Sequence, residues 1–167
     1  HKKMFDEAEN KLKEINIVLI AHGTLSDQDE CEKDVNKTIE EIKTNAISTI
    51  ALLTEISNRF ANNKSGIIAV ISSVSGDRGR ASNYVYGSAK AMVSTFTSGL
   101  RQRLNKYNVS VVTIKPGFVD TPMTKNMKKG LLWAKPSAVA AKIVSGIENR
   151  KDEIYVPSFW RVIMFFI

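Results

Sequence analysis

Residues 72–90 read SSVSGDRGRASNYVYGSAK, and they join an apolar segment to a long amphipathic one. The apolar residues 67–71 are typical of a buried strand, which places Ser73 at the carboxyl end of that strand. Downstream, the apolar spacing favours a helix that begins near Tyr86 and Lys90. Because these two residues are four positions apart, their side chains lie on one helical face. A serine that faces such a pair indicates acid–base chemistry on a carbonyl or an alcohol.

Tyr86 could serve as the acid or base of this site if its proton were held less tightly than usual. A free tyrosine has a pKa of about 10. We expect the ammonium of Lys90 to lower that pKa by roughly 3 units, while the hydroxyl of Ser73 orients the substrate oxygen. Because no side chain stores a hydride, the redox partner must be a cofactor. The alternative is that Tyr86 and Lys90 form an ordinary pair on a solvated helix.

Strand and helix patterns alternate along the rest of the chain. Predicted strands cover residues 15–20, 67–71, 111–114 and 154–156, and predicted helices cover residues 1–14, 38–60, 84–107 and 136–149. The first strand is expected to be buried. Asn45 falls inside the second helix, where an asparagine has poor helix propensity. It is therefore either a simple surface residue or a functional one.

The wider pattern resembles the short-chain dehydrogenase/reductase family over residues 15–157. The catalytic serine, tyrosine and lysine of the family match Ser73, Tyr86 and Lys90. Its catalytic asparagine matches Asn45, twenty-eight positions before the serine. The resemblance implies a Rossmann-like α/β fold, a doubly wound parallel sheet. It also implies that Asn45 binds a water of a proton relay, and that Lys90 anchors the cofactor ribose and tunes Tyr86.

The cofactor-binding segments of the family are matched in part. Residues 116–121, PGFVDT, match its Pro-Gly-x-Val-x-Thr segment, whereas residues 21–24, AHGT, stand where members usually carry Asn-Asn-Ala-Gly. The resemblance implies contacts to NADP or NAD from Ala21, Gly23, Tyr86, Lys90, Pro116, Gly117, Val119 and Thr121. His22 has no catalytic partner in the sequence, so we interpret it as a loop or core residue.

The glycine-rich nucleotide loop of the family, Thr-Gly-x-x-x-Gly-x-Gly, has no counterpart in this sequence. Gly23 is the first glycine, so no such turn precedes it. That loop normally sets the cofactor pyrophosphate against a helix N-terminus. We therefore expect residues 1–167 to be a single, N-terminally truncated domain, the C-terminal part of the fold with the first βαβ units absent. The residue that chooses between NAD and NADP is expected to lie outside this sequence.

Two segments beside the predicted site are candidates for substrate contact. Arg78 and Arg80 lie in a loop over residues 76–83, where they are either solvated or bound to an anionic substrate such as a phosphate. Residues 122–133 are predicted to form a mobile lid. A looser resemblance to family members that reduce a polyprenyl-linked keto-sugar rests on these arginines and on residues 154–166, IYVPSFWRVIMFF. A keto-sugar is therefore one candidate among small ketones and alcohols.

Composition limits the class of partner. The 167 residues are 43% hydrophobic and carry a formal net charge of +7, spread along the chain. No segment resembles a nucleic-acid module, and neither a nucleic-acid partner nor a metal is expected. The single Cys31 fits a reducing compartment, so a cytoplasmic location is predicted. The apolar tail, residues 159–167, is a core helix, a dimer contact or a peripheral membrane contact.

Two functions of different classes fit this pattern. The first is an NAD(P)-dependent oxidoreductase that interconverts a ketone and a secondary alcohol, with Tyr86 as general acid and base. The resemblance implies that it forms a homodimer or homotetramer through the helices that carry Asn45 and Tyr86. The second is a non-catalytic scaffold or nucleotide sensor that keeps the fold. A sensor has no need of an asparagine, a serine, a tyrosine and a lysine together, which favours the enzyme.

Overall fold

Four parallel strands form one sheet and follow one another in space as they do in the sequence. The structure is a computed structural model and describes residues 2–167. Its strands are β1 (Ile17–Ile20), β2 (Gly66–Ile71), β3 (Val109–Pro116) and β4 (Glu153–Val156), in the order β1-β2-β3-β4. The register pairs Val18 with Ile68, and Val70 with Thr113. All four predicted strands are therefore present, with shifted ends.

Helices connect the strands because parallel neighbours cannot be joined by a tight turn. The connecting helices are α2 (Gln28–Cys31), α3 (Val35–Ile42), α4 (Ser48–Asn63), α5 (Tyr84–Asn105) and α6 (Pro136–Glu148), while α1 (Lys2–Leu12) precedes β1 and α7 (Phe159–Phe166) follows β4. Short 3₁₀ turns lie at Val74–Gly76 and Pro122–Thr124. The helices that were predicted are found close to their expected positions.

The helix predicted over residues 38–60 is longer than expected and is interrupted. α3 continues into α4 through a π-helical turn, Lys43–Ile47, which contains Asn45. A π turn inserts one extra residue into a helix, and such turns are frequent at functional sites. The insertion changes the direction in which the following side chains point, so Asn45 does not have the orientation that a regular helix would give it.

Helices cover both faces of the sheet. On one face, α3, α4 and α5 pack against Ile68 and Val70 of β2. On the other face, α6 packs against Ile67 and Ala69 of the same strand. Successive residues of a strand point to opposite faces, so β2 is apolar throughout. This arrangement confirms the predicted α/β fold with a doubly wound parallel sheet.

β1 is less buried than predicted because it is an edge strand. Ile17 and Leu19 are 50% and 47% exposed, whereas Ile20 is 5% exposed. Ile17 and Leu19 are in register with Ile67 and Ala69, so they lie on the face that α6 covers. The helix reaches β2, β3 and β4, and among residues 2–167 nothing covers this face of β1. The expectation of a fully buried first strand is therefore wrong.

The apolar tail forms α7 and lies against the rest of the protein. Its Trp160 and Met164 are buried and pack with Val74, the residue that follows Ser73. Phe165 and Phe166 are each 80% exposed. The core-helix alternative therefore holds for the inner face of α7. No helix among residues 2–167 is long and apolar enough to cross a bilayer.

We predict that Gly66 cannot be replaced by alanine without a loss of stability. Its φ is 128°, a region that residues with a Cβ avoid, and a Cβ there would lie 2.3 Å from Cδ2 of Phe60. Gly66→Ala should lower the free energy of unfolding by about 3 kcal/mol in urea denaturation. Gly99→Ala, at an exposed position inside α5 with nothing within 4 Å, should raise it by about 1 kcal/mol. Equal stabilities of the two variants would contradict this account.

Candidate active site

A cavity of 490 Å³ lies at the carboxyl ends of β1, β2 and β3. Ligand sites of parallel α/β sheets form at this edge, where the loops that follow neighbouring strands meet. The volume lies within the range of about 300–1,000 Å³ that small-molecule sites occupy. Ser73, Tyr86 and Lys90 all line the cavity. The fold therefore brings together three of the four predicted catalytic residues.

Ser73 leaves β2 at the start of a turn that is fixed by hydrogen bonds. Its Oγ accepts a hydrogen bond from the backbone N of Ser75 at 3.1 Å, which caps the 3₁₀ turn. The Oγ of Ser72 donates to the backbone oxygen of Lys90 at 2.9 Å. Ser72 thereby ties the end of β2 to α5. The hydroxyl of Ser73 is held within reach of the phenol of Tyr86.

Two glycines allow the loop after β2 and the helix α5 to approach closely. A Cβ on Gly76 would lie 2.7 Å from the carbonyl carbon of Lys90, and one on Gly87 would lie 2.8 Å from the backbone oxygen of Ser75. Backbone atoms cannot move aside as the end of a flexible side chain can. The absence of both Cβ atoms therefore sets how near Tyr86 and Lys90 come to the end of β2.

Lys90 is a buried cation with one hydrogen bond among residues 2–167. The residue is 3% exposed, and its Nζ donates to the backbone oxygen of Ile71 at 3.1 Å. The same nitrogen lies 5.5 Å from the ring centroid of Tyr86, within the range of a cation–π interaction. Burial disfavours the charged amine and lowers the pKa of Lys90 to about 8, while the charge of Glu41 acts in the opposite direction.

The pKa of Tyr86 moves against the expected direction. Burial raises the pKa of its phenol to about 12, the hydroxyl of Ser73 opposes that rise, and the charge of Glu41 adds to it. The expectation that this pKa falls is wrong for this structure, because the loss of solvation of the phenolate is the largest effect on it. At neutral pH, Tyr86 therefore carries its proton and can act as an acid.

Asn45 lies beneath the loop that follows β1 and is completely buried. Its Oδ1 accepts a hydrogen bond from the backbone N of Thr24 at 3.1 Å, and its Nδ2 donates to Oγ1 of Thr24 at 3.0 Å and to the backbone oxygen of Glu41 at 3.2 Å. A Cβ on Gly23 would lie 2.7 Å from Oδ1 of Asn45 and 3.5 Å from Nζ of Lys90. The amide of Asn45 and the amine of Lys90 therefore both lie close to Gly23.

The predicted cofactor residues lie in the wall of the same cavity, which is lined by Ala21, Gly23, Tyr86, Lys90, Pro116, Gly117, Val119 and Thr121. His22 lines it as well, with its Nε2 2.7 Å from Oγ of Ser48. Of the two arginines, Arg80 lines the cavity and Arg78 does not. The structure therefore separates two residues that the sequence pattern could not distinguish.

Two residues that support Asn45 were missed in the sequence. Thr24 makes two of the three hydrogen bonds of Asn45 described above, and its own hydroxyl donates to Oε2 of Glu41 at 2.8 Å. Glu41 is 2% exposed. The one available signal was that Glu41 precedes Asn45 by four positions. In a regular helix this spacing places two side chains on one face, although the π turn could not be foreseen.

A partly buried ion pair that was also missed holds the loop over residues 76–83. Nζ of Lys115, at the end of β3, lies 2.8 Å from Oδ1 of Asp77 in that loop. The hydroxyl of Tyr155 in β4 donates to Oδ2 of Asp77 at 2.9 Å. The loop that carries Arg80 is thereby attached to two strands. The sequence signal for this pair was Lys115, a charged residue at the end of an apolar strand. Its partner Asp77 is distant in sequence and could not be identified from the pattern.

The chain is similar in sequence to a dehydrogenase family and to proteins named as oxidoreductases. A family model described as short chain dehydrogenase matches residues 1–131. An uncharacterised oxidoreductase of Mycobacterium tuberculosis strain H37Rv is 35% identical over 143 residues, which are 86% of this chain and 57% of that protein. An uncharacterised oxidoreductase of Streptomyces coelicolor is 28% identical over 151 residues, 90% of this chain and 60% of that protein. The chain therefore spans less than two thirds of the length of these relatives.

Solved structures share the fold. A short chain dehydrogenase from Burkholderia cenocepacia, in complex with NADP, superposes with a TM-score of 0.81 at 21% identity, over 94% of this chain and 65% of that one. Levodione reductase superposes with a TM-score of 0.81 at 16% identity, over 93% of this chain and 70% of that one. At these identities the likeness concerns the fold alone.

We predict that Lys90 makes the stability of the protein depend on pH. Its pKa is about 8 in the folded protein, against an ordinary value of 10.5. Between these values the unfolded chain binds more protons than the folded chain, so the free energy of unfolding rises with pH. The rise should be about 3 kcal/mol over the whole window. Urea denaturation at pH 7 and pH 10 should show it in the wild type and not in Lys90→Met, and parallel pH profiles would refute it.

Proposed function

The chain belongs to the short-chain dehydrogenase family, and we propose that it carries the chemical half of an NAD(P)-dependent oxidoreductase that interconverts a ketone and a secondary alcohol. The family resemblance predicted from the sequence is confirmed by the match of the family model to residues 1–131. The observation that carries the proposal is the convergence of Ser73, Tyr86 and Lys90 on one cavity, with Asn45 directly behind it.

The residues present fit a nicotinamide cofactor, NADP or NAD. Nζ of Lys90 makes one hydrogen bond among residues 2–167, so its other protons are available to ribose hydroxyls. The loops that carry Ala21 and Gly23 after β1, and Val119 and Thr121 after β3, line the cavity at the strand ends where such cofactors bind. A nicotinamide, when bound, would supply or accept the hydride.

In the reducing direction, the side chains supply the proton and hold the oxygen. Ser73 donates a hydrogen bond to the carbonyl oxygen and orients it. As the carbonyl carbon receives the hydride, the phenol of Tyr86 gives its proton to that oxygen, which becomes the alcohol. The ammonium of Lys90 stabilises the phenolate that remains, and the proton is replaced from solvent along the side of Asn45. The oxidising direction reverses each step.

The cavity lining favours a substrate with an apolar body and an anionic or polar end. Arg80 lines the cavity with a thioether as its hydrogen-bond partner among residues 2–167, at 3.5 Å from Sδ of Met164. Oδ1 of Asn83, also in the lining, is buried with no partner in the described part of the chain. Val139 and Met123 contribute apolar wall. A phosphate-bearing or otherwise anionic keto-sugar has both features.

The assembly and location predicted from the sequence extend this proposal. A homodimer or homotetramer would pair the helices α4 and α5, and a cytoplasmic location suits the free Cys31. Any peripheral membrane contact would use the exposed Phe165 and Phe166 of α7, since the other face of that helix is packed on the protein.

We predict that Tyr86→Phe in the intact protein removes turnover and keeps cofactor binding. The variant lacks the proton that goes to the substrate oxygen, so kcat should fall by about 10³-fold. Turnover is measured with a panel of ketones and both NADH and NADPH, and cofactor affinity by fluorescence titration. Tyr84→Phe, which changes an exposed tyrosine on the same helix, is the control and should keep full activity.

Unchanged turnover in Tyr86→Phe would refute the role of Tyr86. A wild-type protein that binds the cofactor but reduces no ketone of the panel would favour the alternative, a nucleotide sensor.

We predict that the two arginines of the loop differ in their effect on KM. Arg80→Gln should raise the KM for a phosphate-bearing ketone about tenfold, because a charge-assisted hydrogen bond is lost. Arg78→Gln removes the same charge two positions away and should leave KM within about twofold, since Arg78 lies outside the lining. KM values for a matched ketone without the phosphate should not change in either variant. Equal effects of the two substitutions would show that Arg80 acts through general charge and not through contact.

A further inference from the structure

Glu41 is a buried carboxylate with no ion-pair partner among residues 2–167. It is 2% exposed, and no lysine or arginine nitrogen in this part of the chain lies within 4.0 Å of its oxygens. Its carboxylate accepts hydrogen bonds from Oγ1 of Thr24 at 2.8 Å, from Oγ of Ser26 at 2.5 Å and from the backbone N of Ser26 at 3.3 Å. An unpaired buried charge is costly. Such a group beside a cleft is a candidate for a functional role.

The carboxylate of Glu41 determines whether the hydroxyl of Thr24 donates or accepts its hydrogen bond with Asn45. That hydroxyl has one proton, which it donates to Glu41, so it can only accept from Nδ2 of Asn45. Together with the backbone N of Thr24, this leaves Asn45 one orientation, with Oδ1 toward Gly23. The amide oxygen, and not the amide nitrogen, therefore faces the side on which Nζ of Lys90 lies.

Lys90 is the buried cation that complements this carboxylate. It is 3% exposed, and among residues 2–167 its Nζ is bonded to a neutral carbonyl only. Glu41 is linked to Asn45 through Thr24, and Nζ of Lys90 lies beside the same glycine as the amide oxygen of Asn45. Neither charge has an ionic partner within the described residues. The charge of Glu41 opposes the effect of burial on Lys90.

The other ionisable groups around Glu41 do not compensate its charge. Glu30 and Lys37, which share a small cavity with it, bond to each other at 2.7 Å. Glu40 is exposed. Cys31 on α2 is a thiol whose pKa is raised, first by burial and then by Glu41, so it stays neutral. On α5, Tyr86 is neutral at pH 7 and Lys90 is the cation.

We propose that Glu41 is a positioning residue of this site, which orients the amide of Asn45 through Thr24 and serves as the countercharge of Lys90. Its catalytic consequence rests on the proposed function, whereas the charge pairing does not require turnover. The carboxylate makes its hydrogen bonds to Thr24 and Ser26, and Glu41 is not part of the lining of the 490 Å³ cavity, so it acts through these neighbours.

The charge pairing is tested by titrating Lys90 with ¹³Cε chemical shifts, its resonance being assigned by its loss in Lys90→Met. In Glu41→Gln the midpoint of Lys90 should fall by about half a pH unit or more, because the ammonium loses its countercharge. Glu40→Gln, which removes the same charge from the exposed neighbouring residue, should leave the midpoint unchanged. Identical midpoints in the wild type and both variants overturn the countercharge role. This result would be independent of whether any ketone is reduced.

The positioning role is tested at Thr24, a residue that is exposed overall although its hydroxyl bonds to Glu41 and Asn45. Thr24→Val removes the hydroxyl that links Glu41 to Asn45, and kcat should fall about tenfold with the KM for NADPH unchanged. Thr24→Ser keeps the hydroxyl and should restore kcat. The midpoint of Lys90 should stay at the wild-type value in both. A wild-type kcat in Thr24→Val overturns the positioning role, and this variant decides that role even if Glu41→Gln does not fold.

Discussion

The burial of the Lys90 ammonium against the carbonyl of Ile71 is the constraint on which the site depends. Nζ of Lys90 has little contact with solvent, and among residues 2–167 its one hydrogen bond is to the backbone oxygen of Ile71. That bond therefore fixes the position of the amine. That contact joins the end of β2 to the second turn of α5, and Gly76 and Gly87 remove the Cβ atoms that would keep the two segments apart. The relative position of Ser73 and the helix follows from this junction.

Burying the Lys90 ammonium costs free energy, and this cost explains the charged and polar groups that lie around it. Burial lowers the pKa of Lys90 to about 8, so the charged form is only weakly favoured at neutral pH. A carboxylate that is itself buried, Glu41, acts against this shift from the far side of Asn45. Burial likewise raises the pKa of Tyr86 to about 12, which keeps the phenol protonated. The same lack of solvent therefore keeps the phenol protonated and disfavours the charge of the neighbouring amine, the two groups on which the proposed proton transfer depends.

Most of the fold and the four catalytic candidates could be predicted from the sequence. The apolar runs and the helical spacings are local patterns, and so are the serine that ends a strand and the four-residue spacing of Tyr86 and Lys90. The predictions that were wrong concern the exposure or the pKa of residues whose surroundings are formed by segments distant in sequence. Ile17 and Leu19 belong to an apolar strand, but they are exposed because α6 does not reach the edge of the sheet. The sign of the Tyr86 pKa shift depends on burial, which no spacing reveals.

By itself, the sequence determined the order of strands and helices and which residue types are available for proton transfer, because both depend on neighbours within a few positions. Only the tertiary structure decided that Arg80 and not Arg78 lines the cavity, and that Lys115 pairs with Asp77. It also decided that Glu41 lies behind Asn45, because a π turn changes the direction in which the side chains of that helix point. The physical reason is that contacts between residues far apart in sequence, and the solvent they exclude, are set by packing.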